Sequence, residues 1–502
     1  ISEGRNVEAD FDERRTKSEW VEREIKTVTL SGKHDLLNGL SIDWRLNGST
    51  GKRESPFERE HFYEFNNGAY EFSRRQDSNY TNFSWLNDDS SEAAVDFYYP
   101  IETEDLLIDF KFGLLHSEKN RQTDVKRYAF LPDFTNGALF ADQEFRRQPI
   151  NSIMHPQNFR YDRTGLVLQE LSLNTDDYTG DMTIDAYYFS LETDISDQLS
   201  LSIGARNEES FIETNTQQFF GNQTNIQSVD ELDKLLPALT LTYELAENMQ
   251  VRIGFSETVS RPQFREMSPV LFVNFETDRF ERGFAELTSA EIENIDLRYE
   301  YYFGFDEFLT ISYFEKSFIN PIEQVLEAAA TDSYVSYRNA ASATLEGAEF
   351  EFQKQFGELI SGYDFFGKVN YTYTDSNAVT NPEYITLSSY DDRPLVGQPD
   401  DIFNLQFGFY GADDSRFSVV YNDVGNRIRE LGVDTIPNVM EDLPAQLDVV
   451  YNRTYEALDG TLDITLKLRN LLEDPYEALQ GNEVFESYST ASSISLGVKY
   501  SF

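Results

Sequence analysis

Strict two-residue alternation constrains this chain more than any other feature, and it runs to the last residue. At the C-terminal end Ile494, Leu496, Val498, Tyr500 and Phe502 interleave with Ser493, Ser495, Gly497, Lys499 and Ser501. Upstream, Leu462, Ile464, Leu466 and Leu468 alternate with Asp463, Thr465, Lys467 and Arg469. The same period recurs at Phe403 to Phe409, Val369 to Tyr373, Ile295 to Phe303, Leu239 to Leu245, Leu199 to Ile203 and Ile108 to Leu114. Successive strand side chains point to opposite faces, so each stretch predicts a strand with one apolar and one polar face. About 16 such strands, give or take two, are legible. Helical spacing is nearly absent, and the chain is predicted to be all-β.

The connections have two characters. Some are short and turn-like: Gly357 to Asp364, Gly411 to Ser415, Ala457 to Gly460, Ala246 to Asn248 and Gly304 to Asp306. Others read as long, polar and irregular, notably Gly51 to Glu92, Lys119 to Asp177 and Ala378 to Pro399. Short turns at one end and long loops at the other is the layout of an outer-membrane barrel, and compact soluble domains rarely hold structureless loops of that length. No repeat of propeller length is visible.

Alternation by itself fits a soluble sandwich equally well. Three features favour a lipid-facing barrel. The strands run to about 10–12 residues, longer than the soluble mode and right for a tilted bilayer crossing. Tyr and Phe gather near strand ends, where an interfacial girdle sits. The chain also stops on an aromatic: Ser495, Gly497, Tyr500 and Phe502 look like a barrel-assembly signal, carried by Gly497, Tyr500 and Phe502. The predicted fold is a transmembrane antiparallel β-barrel of the outer-membrane type, with short periplasmic turns and long extracellular loops.

Charge and composition narrow the function. Of 502 residues, 42 are Lys or Arg and 89 Asp or Glu, a net charge of −47. That excess excludes a duplex nucleic-acid partner, whose phosphates need clustered cations. Absence of cysteine rules out disulfides, thiolate zinc sites, iron–sulfur clusters and a Cys nucleophile. An aromatic share of 14% separates the chain from acidic disordered sequences. The pairs Asp88-Asp89, Asp176-Asp177, Asp391-Asp392 and Asp400-Asp401 read as solvated surface. Their alternative is loop-bound divalent cations bridging to lipopolysaccharide or substrate, though none has the ligand order of a calcium loop. No cofactor and no metal ligand set is otherwise expected. The four histidines, His34, His61, His116 and His155, show no metal-ligand spacing, and no Gly-x-Ser-x-Gly elbow or phosphate loop occurs. His116 and Ser117 are neighbours on a strand and face opposite ways. No enzyme is predicted.

Beyond its periodicity the chain resembles the TonB-dependent receptors, energised outer-membrane transporters of Gram-negative bacteria. Leu235 to Leu239, Arg252 and Ser260-Arg261-Pro262-Gln263-Phe264 match a strand pair ending in Ser-Arg-Pro. Ile292 to Glu300 and Asn320-Pro321-Ile322-Glu323 look like the next two landmarks. Asn339-Ala340, Leu345 to Glu349, Arg393-Pro394-Leu395-Val396-Gly397-Gln398-Pro399, Tyr421-Asn422, Arg469-Asn470-Leu471 and Phe502 complete the series in order. Leu106 to Arg121 resembles an earlier strand, and Gly283 to Leu287 departs from the family's Gly-Asn-Pro.

The resemblance implies a cell outer-membrane location in lipid and lipopolysaccharide, and uptake of a scarce siderophore, metal chelate or oligosaccharide. It also implies contact with TonB through a plug that this chain does not contain. Family barrels have about 22 strands, so residues 1–25 are expected to be an irregular loop or strand lead-in and 26–502 the C-terminal part of a receptor barrel. Truncation or a separate N-terminal polypeptide would account for the rest. The alternatives are a self-closed passive pore of about 16 strands and a plug-less scaffold in an outer-membrane complex. Asp109, Lys111, Arg298, Glu300, Lys368, Lys467 and Arg469 are expected to line the lumen. Phe62, Tyr63, Tyr80 and Trp85 are the candidates for substrate contact in the loops, with plain loop packing as their other reading.

Overall fold

The computed structural model describes all residues except 1, 7–10, 37–38, 76–77, 104–105, 133–140, 162–163, 173–175, 218–224, 275–278, 329–332, 382–392, 433–435 and 458. One antiparallel sheet of 20 strands dominates. Three members, Ser2–Asn6, Ala69–Phe72 and Leu166–Glu170, are stubs, which leaves 17 long strands (20 − 3) between Phe11–Asp35 and Ser493–Ser501. Each long strand pairs with the next in sequence, joined alternately by a tight turn and a long excursion. Among the described residues the ladder does not close on itself. Ser493–Ser501 pairs only with Gly460–Arg469, and Phe11–Asp35 pairs with Ser41–Asn66 and, over its first five residues, with Ser2–Asn6.

Register turns the alternation into two surfaces. Val251, Tyr299, Ile311, Phe350, Tyr371 and Phe403 stand directly opposite one another across six strands. Ile311 is 49% exposed and Phe350 39%. Large apolar side chains left uncovered in rows are what a lipid-facing wall requires, since a soluble protein seldom exposes such continuous patches. One residue along, Gln250, Glu300, Thr310, Glu351, Asn370, Asn404 and Asn422 form the corresponding inner row across seven strands. Their side chains bond in series: Asn422 donates to Asn404 (2.6 Å), Asn404 to Asn370 (3.3 Å), Asn370 to Glu351 (3.3 Å) and Thr310 to Glu351 (3.0 Å). The inner face is thus a polar belt, and it holds Lys111 on Glu192 (2.7 Å) and Arg298 between Glu300 (2.6 Å) and Glu351 (3.3 Å).

One expectation is corrected. The stretch Gly51 to Glu92, read as a loop, is largely strand, since Ser41–Asn66 turns at Asn67-Gly68 and Asn79–Glu102 returns; Lys119 to Asp177 opens as strand, in Leu107–Pro132, and then runs through the short helical turns Gln143–Arg146 and Ile150–Ile153 to Leu166–Glu170. A bilayer crossing needs only about 9–11 residues, so the remainder of these 24–26-residue strands stands in water. Where neither face meets hydrocarbon, polar residues such as Ser55, Glu58 and Glu60 can be buried on the inner face, so hydrophobic alternation disappears while backbone pairing persists. Of the two readings of residues 1–25, loop or strand lead-in, the described residues are mostly strand, in Ser2–Asn6 and from Phe11 onward.

The buried apolar clusters lie at the long-loop end. Tyr178, Ile212, Phe264, Met267, Val270, Leu287 and Tyr337 make one, Leu326, Val335, Val439, Tyr476 and Ala478 another. Around them the long excursions are themselves pleated. Leu271–Asn274, Arg279–Arg282, Ser333–Asn339 and Ile322–Ala328 form one four-stranded sheet, and Arg427–Glu430, Val439–Asp442, Pro475–Gln480 and Glu483–Ser489 another. The two are stitched together where Leu326 donates to the Leu431 carbonyl (2.9 Å) and Leu431 to that of Gln324 (3.4 Å). Four separate excursions thereby build one eight-stranded canopy at the mouth of the barrel.

Candidate functional site

Most of the motif residues meet where the wall strands give way to the canopy. Asn320 ends its strand in the left-handed region (φ 55°), a conformation Asn tolerates. Its carbonyl accepts from Asn339 Nδ2 (2.7 Å), while Asn339 also bonds both backbone groups of Thr288 (3.0 and 2.9 Å). The Pro321 carbonyl accepts from Ala340 (2.8 Å). Two residues on, Glu323 is 5% exposed and Arg393 6%, and they form a bidentate pair of 2.8 and 2.6 Å. Glu323 accepts a third bond from the Val396 amide (3.3 Å), and Arg393 Nη1 also reaches the Pro394 carbonyl (3.3 Å). Such a pair is costly to bury unless its remaining hydrogen-bonding groups are satisfied. Here it clamps the excursion after Asn320 to the one before Pro399.

Arg261 sits on the same rim, donating to Ser210 (2.9 Å) and pairing with Glu208. Pro262 is buried beside it and precedes the single helical turn Phe264–Met267. Asn470 lies apart, at the foot of the excursion before the last strand, where it accepts φ 53° and donates to Asp448 (2.9 Å) and Thr490 (2.5 Å). Gly497, Tyr500 and Phe502 are on the last strand or at its end, with Tyr500 stacked on Phe502 (6.3 Å between rings).

Between rim, wall and canopy lies a cavity of about 670 Å³. The wall contributes inward-facing Ile292, Phe318 and Leu345, and the canopy contributes Gln324, Arg427 and Arg429. Arg427 donates to Glu441 (2.5 Å), Arg429 to Glu486 (2.6 Å) and Tyr476 (2.8 Å), and Tyr476 in turn to Glu441 (2.8 Å). Burial, helped by Glu441, pushes the Tyr476 phenol up to about 12. Burial also raises the Glu266 carboxyl at the cavity edge. The canopy residues Arg427, Arg429 and Glu441 gave no signal in the sequence, because strands of four residues are too short to show a period.

The four aromatic candidates are dispersed. Phe62 is 2% exposed, covered by the guanidiniums of Arg15 and Arg75 (5.3 and 5.7 Å). Tyr63 packs edge-on against Phe72 (5.6 Å) and donates to the Gln148 carbonyl (2.9 Å). Trp85 is on the outer face, in step with Val95, and stacks on Phe83 (6.5 Å). Tyr80 faces inward and bonds Glu60. Acidic pairs are also tied up: Asp88 holds Arg121 through two bonds of 2.6 Å, and Asp176 holds Arg127 (2.9 Å). Asp391-Asp392 lie outside the described residues. His116 points outward onto Asp185 (2.7 Å), away from Ser117.

An apolar outer wall, an ion-paired inner face and an ordered rim define an outer-membrane β-barrel. The family described as TonB dependent receptor-like, beta-barrel, matches residues 4–471, and the chain belongs to it. Its fold is shared with the siderophore receptor PiuA from Acinetobacter baumannii, at TM-score 0.62 and 13% identity over 97% of this chain and 64% of that one. It is shared also with the pyoverdine outer membrane receptor FpvA from Pseudomonas aeruginosa PAO1 (TM-score 0.56, 12% identity, 93% of this chain and 61% of that one). The ferric yersiniabactin uptake receptor FyuA from Yersinia pestis is similar (TM-score 0.54, 13% identity, 97% and 67%). The chain thus spans less than two thirds of the length of the first two structures. No curated protein matches it.

Proposed function

We propose that this chain forms barrel wall and canopy of a TonB-dependent receptor that captures a scarce substrate outside the cell and admits it to the periplasm. The substrate is a siderophore, a metal chelate or an oligosaccharide, and TonB supplies the energy for its passage. One observation carries the reading: a lipid-facing ladder with an ion-paired interior leads up to an ordered cavity at the long-loop end. Barrel interiors of this kind hold other chain segments by hydrogen bonds and ion pairs, and the row from Gln250 to Asn422 supplies such groups at regular spacing. The chemistry is binding and passage, with no bond made or broken.

Periplasmic accumulation of labelled ferric chelates and oligosaccharides, in cells with and without this gene and with and without TonB, tests it. The expected result is one substrate whose accumulation needs both. Accumulation that needs the gene but proceeds at the same rate without TonB would point to a passive pore and overturn the proposal.

A further inference from the structure

We propose that the cavity beneath the canopy binds an uncharged polyhydroxylated ligand, a short neutral oligosaccharide segment, in preference to an anionic metal chelate. The inference rests on the receptor reading above and names the ligand class for that site.

Charge balance carries it. The guanidiniums at the cavity already have carboxylate partners: Arg427 has Glu441, Arg429 has Glu486, Arg261 has Glu208, and Arg393 behind them has Glu323. An anionic ligand therefore finds no uncompensated guanidinium here: it must share one with the carboxylate already on it, or displace that carboxylate, which then needs a new partner. Of the groups that remain, Glu266 is an acid, capped among the described residues only by the Gln263 amide, and does not favour an anion; the amides are neutral. Gln324 lines the cavity with a side-chain amide that bonds no other described residue, and Gln398 keeps its carbonyl oxygen while its amide nitrogen serves Thr374 (2.8 Å).

Hydroxyl groups, each both donor and acceptor, match amides and paired ions of this sort without adding charge. The floor is apolar, formed by Ile292, Phe318 and Leu345, and suits the C–H faces of sugar rings. At about 670 Å³ the space lies within the usual range for ligand pockets. The whole chain's net charge of −47 adds a long-range bias against anions.

The test is calorimetry on the detergent-purified full-length receptor. The probes are neutral gluco-, xylo-, manno- and galacto-oligosaccharides, acidic uronate oligosaccharides, and ferric citrate, hydroxamate and catecholate complexes. A neutral oligosaccharide is expected to bind with an affinity that hardly changes between low and high salt. Gln324→Ala and Phe318→Ala should each weaken it about tenfold, the effect of about 1.4 kcal/mol, with the receptor still migrating as a folded barrel. Salt-sensitive binding of a ferric or uronate probe, or no binding by any neutral probe, overturns the inference. TonB-dependent accumulation of a ferric chelate would sink this inference and leave the receptor reading standing. Neutral-sugar binding with TonB-independent uptake would do the reverse.

Discussion

At the scale of single residues, the Glu323–Arg393 clamp is the most consequential contact. Removing one partner strands the other charge in a buried place, so Arg393→Ala is expected to destabilise the rim by about 3–5 kcal/mol. The double variant Glu323→Ala/Arg393→Ala should cost less than the single one. Limited proteolysis of membrane-embedded receptor measures this, with cleavage expected in the excursions flanking Asn320 and Pro399 while the wall stays protected. Tyr63 offers a pH test. Burial raises its phenol from 10.0 to about 12, so the folded protein holds that proton more tightly than the unfolded chain. The stability it contributes is complete below pH 10 and is lost as pH rises toward 12. Phenolate absorbance should therefore show a late-titrating tyrosine that Tyr63→Phe removes. The motif residues were legible as a series, but their convergence was not, since Glu323 and Arg393 are 70 positions apart. Phe62 and Trp85 were misplaced because an aromatic in a polar stretch looks alike whether it is buried, as Phe62 is, or on the outer wall, as Trp85 is.

The strands set the next scale. Leu297 faces lipid and Asp296 faces inward on the same strand. Leu297→Arg near the middle of the apolar band should cost about 2–4 kcal/mol and Asp296→Arg far less. Heat-modifiable mobility of membrane fractions would show the folded band depleted only in the first. Deleting Phe502, or changing Tyr500 to Asp, should lower outer-membrane levels, because the last strand carries the terminal aromatic pattern; unchanged levels would discredit that role. Strand identity was readable wherever one face meets hydrocarbon and the other water. It faded along Glu54 to Glu64 and Glu118 to Arg127, where neither face meets hydrocarbon and the ladder is held by main-chain bonds and polar pairs such as Asp88–Arg121 and Asp176–Arg127.

For the whole molecule, the distinguishing feature is the canopy, where two sheets depend on one short junction. Leu431 is 2% exposed and packs with Val325 and Ile428 at that junction. Leu431→Ala should leave a void costing about 2–4 kcal/mol. Hydrogen exchange is expected to rise together in 322–328 and 427–431, and a rise confined to one of them would mean that the sheets are independent. None of this was visible beforehand, because sheet membership across four excursions is a property of assembly and leaves no local period.

The canopy also fixes an order of events in biogenesis. Its strands come from points between residues 271 and 489; each excursion pairs its own two strands, and nothing local brings the four pairs within reach of one another. Only neighbouring wall hairpins, already zipped, place those ends side by side, so the cap is the last part to set. A reagent that recognises the joined sheets would therefore stain cells only after insertion is complete, and would serve as a maturation marker for the receptor.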